Sequence, residues 1–126
     1  MAQAKRDLKA ARDSLADENY EWVCFQSQQS AEKALKALLR FHNQEAKGHT
    51  IIQLLAAASQ FEATPVGMQA RARELDRHYI QPRYPNGFAA GYPGEFYDAQ
   101  TAAAAVEHVD AILQFVETHV RDEPSA

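Results

Sequence analysis

The fold is predicted most directly by residues 20–44, which are YEWVCFQSQQSAEKALKALLRFHNQ. At 100° per residue, the apolar and small side chains of this stretch fall on one face of a helix that we expect over about 18–44. That face consists of Tyr20, Cys24, Ser27, Ala31, Ala34, Leu35, Leu38 and His42. Its small residues allow a neighbouring helix to approach closely. The stretch therefore predicts a long central helix.

Two aromatic residues of the same stretch, Trp22 and Phe25, do not belong to that face. They fall near the opposite side of the helix, among Gln29, Lys36 and Arg40. Aromatic residues away from the core face of a helix usually pack against something else. We predict that Trp22 and Phe25 form a dimer interface, and the chain's own loop is the alternative partner.

Four more helices follow from amphipathic spacing, and no segment has the alternation typical of strands. They are predicted over about 2–16, 51–59, 66–80 and 99–120. Asp17, Thr50 and Asp98 are the expected N-caps, because their side-chain oxygens can accept free backbone N–H groups, and Gly48 is the expected C-cap. Long amphipathic helices with short links favour an all-α, antiparallel up-down bundle of about five helices.

Length and composition limit the class of protein. A chain of 126 residues fits one domain, which we place at 1–120, with a disordered tail at 121–126. The single cysteine excludes an intrachain disulfide and favours a cytoplasmic setting. No apolar run approaches the roughly 20 residues that span a bilayer, so we expect no membrane association. The net charge of -4 argues against broad nucleic-acid binding, although twelve of the thirteen basic residues lie in 1–83.

Residues 81–97, QPRYPNGFAAGYPGEFY, form the one irregular segment. They include three prolines, three glycines and five aromatic residues. Loops of this length inside a compact domain are often functional, and the aromatic content favours a segment packed against the bundle. The sequence leaves open whether it acts on its own subunit or across a dimer.

Catalytic and metal motifs are scarce. None of the five histidines has the spacing of a zinc motif, so we expect neither a metal nor a cofactor. Cys24 lies on the apolar face of the central helix, where a thiol is usually inert.

Two groups of cationic residues are candidate binding sites. Lys33 and Lys36 lie on one face of the central helix, where they could meet phosphates or form a solvated face with pairs such as Glu32 and Lys36. Residues 71–86, RARELDRHYIQPRYPN, hold four arginines, one histidine and two tyrosines. Arg83 could bind phosphate or anchor the loop through a carboxylate such as Asp76.

Three blocks of the sequence resemble the HEPN domain family, named for higher eukaryotes and prokaryotes nucleotide-binding. They are YEWVCFQSQQSAEKALKALL at 20–39, GHTIIQLL at 48–55 and LDRHYIQPRYPN at 75–86. The resemblance covers roughly residues 3–120 and is strongest to a subgroup that contains RYP without a clear RNase motif. It implies a bundle of about five helices, usually homodimeric, that often works with a small nucleotidyltransferase in toxin–antitoxin-like systems.

Some members of that family are metal-independent RNases that use an arginine and a histidine separated by four to six residues. In this chain Arg73 and His78 are separated by four residues, and Arg71 and His78 by six. The residues after these arginines, Ala72 and Glu74, depart from the asparagine that is common there. On a continuous helix, residues five apart also point about 140° from each other.

The sequence therefore predicts a non-catalytic, homodimeric module that binds a nucleotide or a nucleotidyltransferase. The residues expected to bind are Lys33, Lys36, His49, Tyr79, Arg83 and Tyr84. His49 is included because it precedes a helix N-terminus, where backbone N–H groups favour anions. The alternatives are an RNase toxin that uses Arg73 and His78 and a purely structural interaction domain.

Overall fold

The structure is a computed structural model that describes residues 1–80 and 97–120. These residues form five α-helices and no strand. The helices are α1 (Ala2–Ala16), α2 (Tyr20–Phe41), α3 (Ile51–Ala58), α4 (Met68–Ile80) and α5 (Ala99–Val120). The prediction of an all-α bundle of about five helices is confirmed. The expected tail at 121–126 and most of the expected loop lie outside the described residues.

Helix α2 is the centre of the bundle and packs against each of the other four helices. The middle of its predicted apolar face is fully buried, from Cys24 through Ala31 and Leu35 to Leu38. The two ends of that face, Tyr20 and His42, are half-buried. The periodicity of residues 20–44 therefore identified the core correctly, although the helix is shorter than expected at both ends.

Contacts between side chains fix the directions of α1 and α2. Asp7, in the first half of α1, pairs with Lys33 in the second half of α2. Ser14, near the end of α1, hydrogen-bonds Gln26, which is nearer the start of α2. The two helices are therefore antiparallel.

Helix α5 is related to α1 in the same way. Lys5 pairs with Glu117 near the end of α5, whereas Arg12 pairs at 3.1 Å with Asp110, which lies about two turns earlier in α5. Helix α1 is thus antiparallel to α5 as well. Both α2 and α5 are antiparallel to α1, so they run parallel to each other. In a strict up-down order, helices that pack side by side would be antiparallel.

The bundle has two distinct ends. At the first end, the beginning of α2, the end of α4 and the beginning of α5 lie together. Tyr97, just before α5, packs against His78 of α4 and interacts electrostatically with Cys24 of α2. At the second end, His42 after α2 and His119 of α5 both contact Glu62. These names are used below for the two ends.

Two of the four expected helix caps are confirmed. The Thr50 hydroxyl accepts the Gln53 amide at 3.1 Å, and the Asp98 carboxylate accepts the Thr101 amide at 2.7 Å. The expectation for Asp17 was wrong, since α2 begins after Asn19 and Asp17 instead ends α1.

The expectation for Gly48 as a helix C-cap was also wrong. Helix α2 has already ended at His42, and Asn43 takes the left-handed conformation with φ 58°. Gly48 has φ +101° in the connection that leads to α3.

The N-terminus of α3 is held by a residue of another helix. The Asp76 carboxylate of α4 accepts the backbone amides of Ile51 at 2.6 Å and Ile52 at 3.0 Å. Partial burial raises the pKa of Asp76, although the two amide bonds act in the opposite direction. Because a helix N-terminus favours negative charge, this contact fixes α3 against α4.

Candidate functional site

The candidate RNase pair is not assembled within one subunit. Arg73 is exposed and lines a shallow groove between α3 and α4, next to Ile52 and Gln69. His78 is only 8% exposed and packs against Tyr97 with ring centroids 5.7 Å apart. The two side chains therefore lie in different environments, as their helical spacing implies.

His78 is a neutral, buried imidazole. Burial first, and then the positive charge of Arg77, lowers its pKa from 6.5 to about 4. Its Nδ1 atom is buried and has no hydrogen-bond partner among the described residues. At neutral pH the ring is uncharged. It can therefore accept a proton as a base, but it cannot donate one as an imidazolium acid.

The three other described candidates are close to carboxylates of the same chain. Lys33 pairs with Asp7 at 2.6 Å, and Lys36 pairs with Glu32 at 2.9 Å. The Nδ1 atom of His49 lies 3.7 Å from Glu32. The basic face on α2 is thus largely neutralised, in the manner of the i,i+4 alternative that the sequence left open.

The N-terminus of α3 already holds an anion. His49 was expected to contribute to anion binding there, but the Asp76 carboxylate occupies the amides of Ile51 and Ile52. An external phosphate would have to displace this carboxylate.

The remaining predicted binding residues fall where the structure gives no side chains. Tyr79 is in the last turn of α4, and its side chain, together with Arg83 and Tyr84, lies outside the described residues. Tyr97, which follows the undescribed segment, is buried against the first end of the bundle. Burial, followed by the effect of Cys24, raises its pKa to about 12, so its hydroxyl stays protonated.

Trp22 and Phe25 form an aromatic pair on the surface of α2. Trp22 is 56% exposed, and its ring lies edge-on to Phe25 with centroids 5.8 Å apart. A groove of about 200 Å³ adjoins Trp22, and Glu18, Glu21 and Tyr97 also line it. We call the region formed by Glu18, Tyr20, Glu21, Trp22 and Phe25, with Tyr97 lining its groove, the aromatic surface; its rim is acidic.

Two polar clusters were not predicted from the sequence. The Glu62 carboxylate contacts His42 at 2.9 Å and His119 at 3.0 Å, and Arg71 contacts His108 at 3.0 Å. These residues are far apart in sequence, and their spacing gives no signal before the helices are packed.

Among residues 1–80 and 97–120, no group of three or more histidine, cysteine or acidic side chains is arranged to hold a metal ion. Cys24 is buried, and burial followed by the effect of Asp98 raises its pKa to about 12. Within the same ranges, no helix combines the length and apolar character needed to cross a bilayer.

The five-helix arrangement and the sequence together define the class of protein. The family model of the HEPN domain matches residues 1–119. The chain therefore belongs to the HEPN domain family, as the three sequence blocks indicated.

Several known proteins are similar to this chain. The crystal structure of TT1696 from Thermus thermophilus is 38% identical, covers 94% of both chains and has a TM-score of 0.88. That of ST0689, an archaeal HEPN homologue, is 36% identical over 94% of this chain and 92% of the other, with a TM-score of 0.78. A Methanocaldococcus jannaschii protein named "Putative toxin MJ1304" is 22% identical over 130 residues, which is 96% of this chain and 86% of the relative.

Proposed function

We propose that this HEPN protein is a homodimeric accessory module that binds a protein partner, a small nucleotidyltransferase, in a toxin–antitoxin-like pair. The observation that carries the proposal is the aromatic surface, where Trp22 remains 56% exposed and is held edge-on by Phe25. Tryptophan and tyrosine are the side chains most often found at the energetic centre of protein interfaces.

The charges on α2 favour a protein partner over a nucleotide. Lys33 and Lys36 are each paired with a carboxylate, and Asp76 occupies the N-terminus of α3. Phosphate groups would have to break these pairs, whereas a protein can dock on the aromatic surface without disturbing them.

The name of the Methanocaldococcus jannaschii relative supports a place in a toxin–antitoxin-like pair. It also supports the runner-up, an RNase toxin. In that mechanism His78 takes the proton of the 2′-hydroxyl, and an arginine such as Arg73 of a second subunit stabilises the charge on the phosphorane.

The dimer is tested by light scattering across a concentration series of the wild type, Trp22→Ala and Phe61→Ala. Phe61 is a matched control, because it is also an exposed aromatic but lies at the second end beside His42. We expect Trp22→Ala to raise the dimer dissociation constant by roughly thirtyfold, the effect of an interface hot spot, and Phe61→Ala to leave it unchanged. A monomeric wild type rejects the homodimer, and equal effects of both substitutions reject Trp22 as its centre.

Partner binding and nuclease activity are tested separately. Co-expression with a small nucleotidyltransferase should give a complex that co-purifies with the dimer, and failure to co-purify with any such enzyme from the same genome contradicts the partner. RNA incubated with the protein in EDTA should stay intact. If the wild type cleaves RNA and His78→Ala does not, the protein is an RNase and the proposed accessory function is wrong.

A further inference from the structure

A second candidate site lies at the second end of the bundle, between the start of α4 and the last turns of α5. It is an open pocket of about 390 Å³, within the range of pockets that hold small molecules. Met68, Phe115 and Val66 supply apolar walls, and Arg71 and His119 supply polar ones. The pocket is therefore amphipathic, with cationic and apolar sides.

Arg71 is the residue that gives this pocket its character. Its side chain is half-buried, and its Nη1 atom lies 3.0 Å from Nδ1 of His108. Because a guanidinium group only donates hydrogen bonds, Nδ1 of His108 must accept. Burial first, and then the charge of Arg71, lowers the pKa of His108, so the ring is neutral at that contact. The contact therefore orients Arg71 without neutralising it.

No carboxylate of the described chain forms an ion pair with Arg71. Glu74 and Glu107 are close enough to act on the pKa of His108, but Glu74 contacts Arg77 at 3.3 Å. Another acid of the second end, Glu62, is held by the two histidines there. Arg71 is thus half-buried with no ion-pair contact, which leaves its guanidinium able to bind an external anion.

We propose that this pocket binds a small organic anion, with Arg71 gripping one carboxylate or phosphate group and Met68 and Phe115 packing against an apolar ring or chain. The planar fork of arginine suits both anionic groups. Because the pocket also has apolar walls, we expect it to bind an organic anion more tightly than an inorganic ion. The inference goes beyond the proposed function, since the pocket is at the opposite end of the bundle from the aromatic surface.

The test is calorimetry with four probes: phenyl phosphate, benzoate, inorganic phosphate and phenol. We expect saturable binding of phenyl phosphate or benzoate in the millimolar range or tighter, with phenol and inorganic phosphate at least tenfold weaker. The substitution Arg71→Met keeps much of the side-chain volume and should weaken binding at least tenfold. Arg73→Met is the matched control on the same helix, because Arg73 lines the separate groove between α3 and α4.

Each result decides the question. No saturable binding by either ring-bearing anion overturns the proposal, as does equal binding by Arg71→Met and the wild type. Inorganic phosphate that binds as well as phenyl phosphate shows a bare anion contact and also overturns it. Thermal unfolding of each variant confirms the fold, and Arg71→Lys, which keeps the charge but loses the fork, should bind with intermediate affinity. A Trp22→Ala variant should bind the probes like the wild type, which separates this site from the proposed function.

Discussion

The buried imidazole of His78 should make the protein sensitive to mild acid. Its pKa is lowered to about 4 in the folded state, against 6.5 for a free histidine. Between these values the unfolded chain binds a proton that the folded chain does not, so the free energy of unfolding falls as the pH falls. Above the unfolded pKa, titration of His78 does not change the free energy of unfolding. That free energy falls progressively as the pH drops from the unfolded pKa towards the folded pKa.

The size of the effect follows from the two pKa values. Lowering the pH from about 7 to about 5 should remove about 2 kcal/mol of stability through this one side chain, because each pKa unit corresponds to about 1.4 kcal/mol. Arg77 and His108 lower the pKa and Glu74 raises it, and all three remain in the variants below.

Urea unfolding followed by far-UV circular dichroism measures this loss at each pH. His78→Leu cannot titrate and fills a similar volume against Tyr97, so its stability should change about 2 kcal/mol less than that of the wild type over this pH range. His49→Gln removes an exposed histidine and should keep the acid sensitivity of the wild type. Parallel pH profiles for the wild type and His78→Leu would refute the buried neutral imidazole.

Two further predictions concern the connections of α3, each measured by urea unfolding. Asp76→Ala removes the acceptor of two α3 amides and should destabilise the fold by about 2 kcal/mol. Glu74→Ala, which removes an exposed pair with Arg77, should cost less than about 0.5 kcal/mol at neutral pH, and equal losses would contradict the capping role. Gly48→Ala should cost about 1 kcal/mol, because Gly48 has φ +101°, a left-handed conformation that alanine rarely adopts. Gly67 has φ +87° and open space around it, so Gly67→Ala should cost about as much, and the absence of a loss at both glycines would refute the backbone reasoning.

The helices could be predicted from the sequence because helical periodicity is a local property. The apolar face of α2 and the caps Thr50 and Asp98 depend only on residues a few positions apart. The boundary at Asp17 was missed for a related reason. Several polar residues, 17–19, lie between α1 and α2, and the packing of the two helices decides which of them begins the second one.

Of the ion pairs, those within one helix could be predicted from sequence spacing, and those between helices could not. The pair of Glu32 and Lys36 is an i,i+4 contact and was among the alternatives open from the sequence. The pairing of Lys33 with Asp7 joins residues of different helices, as does the contact of Asp76 with the start of α3. Such contacts exist only once the helices have packed, and they decide whether a cation remains available for a ligand.

This distribution of charge explains why the two proposed sites lie at opposite ends of the bundle. The middle of α2 is neutralised by Asp7 and Glu32, so it offers little to an external anion. The first end instead offers the exposed Trp22, and the second offers Arg71, a half-buried arginine that pairs with no carboxylate of the described residues. The pocket beside Arg71 and the groove beside Trp22 share no lining residue. A second copy of the chain on the aromatic surface and an organic anion beside Arg71 should therefore bind at the same time, without competing for any side chain.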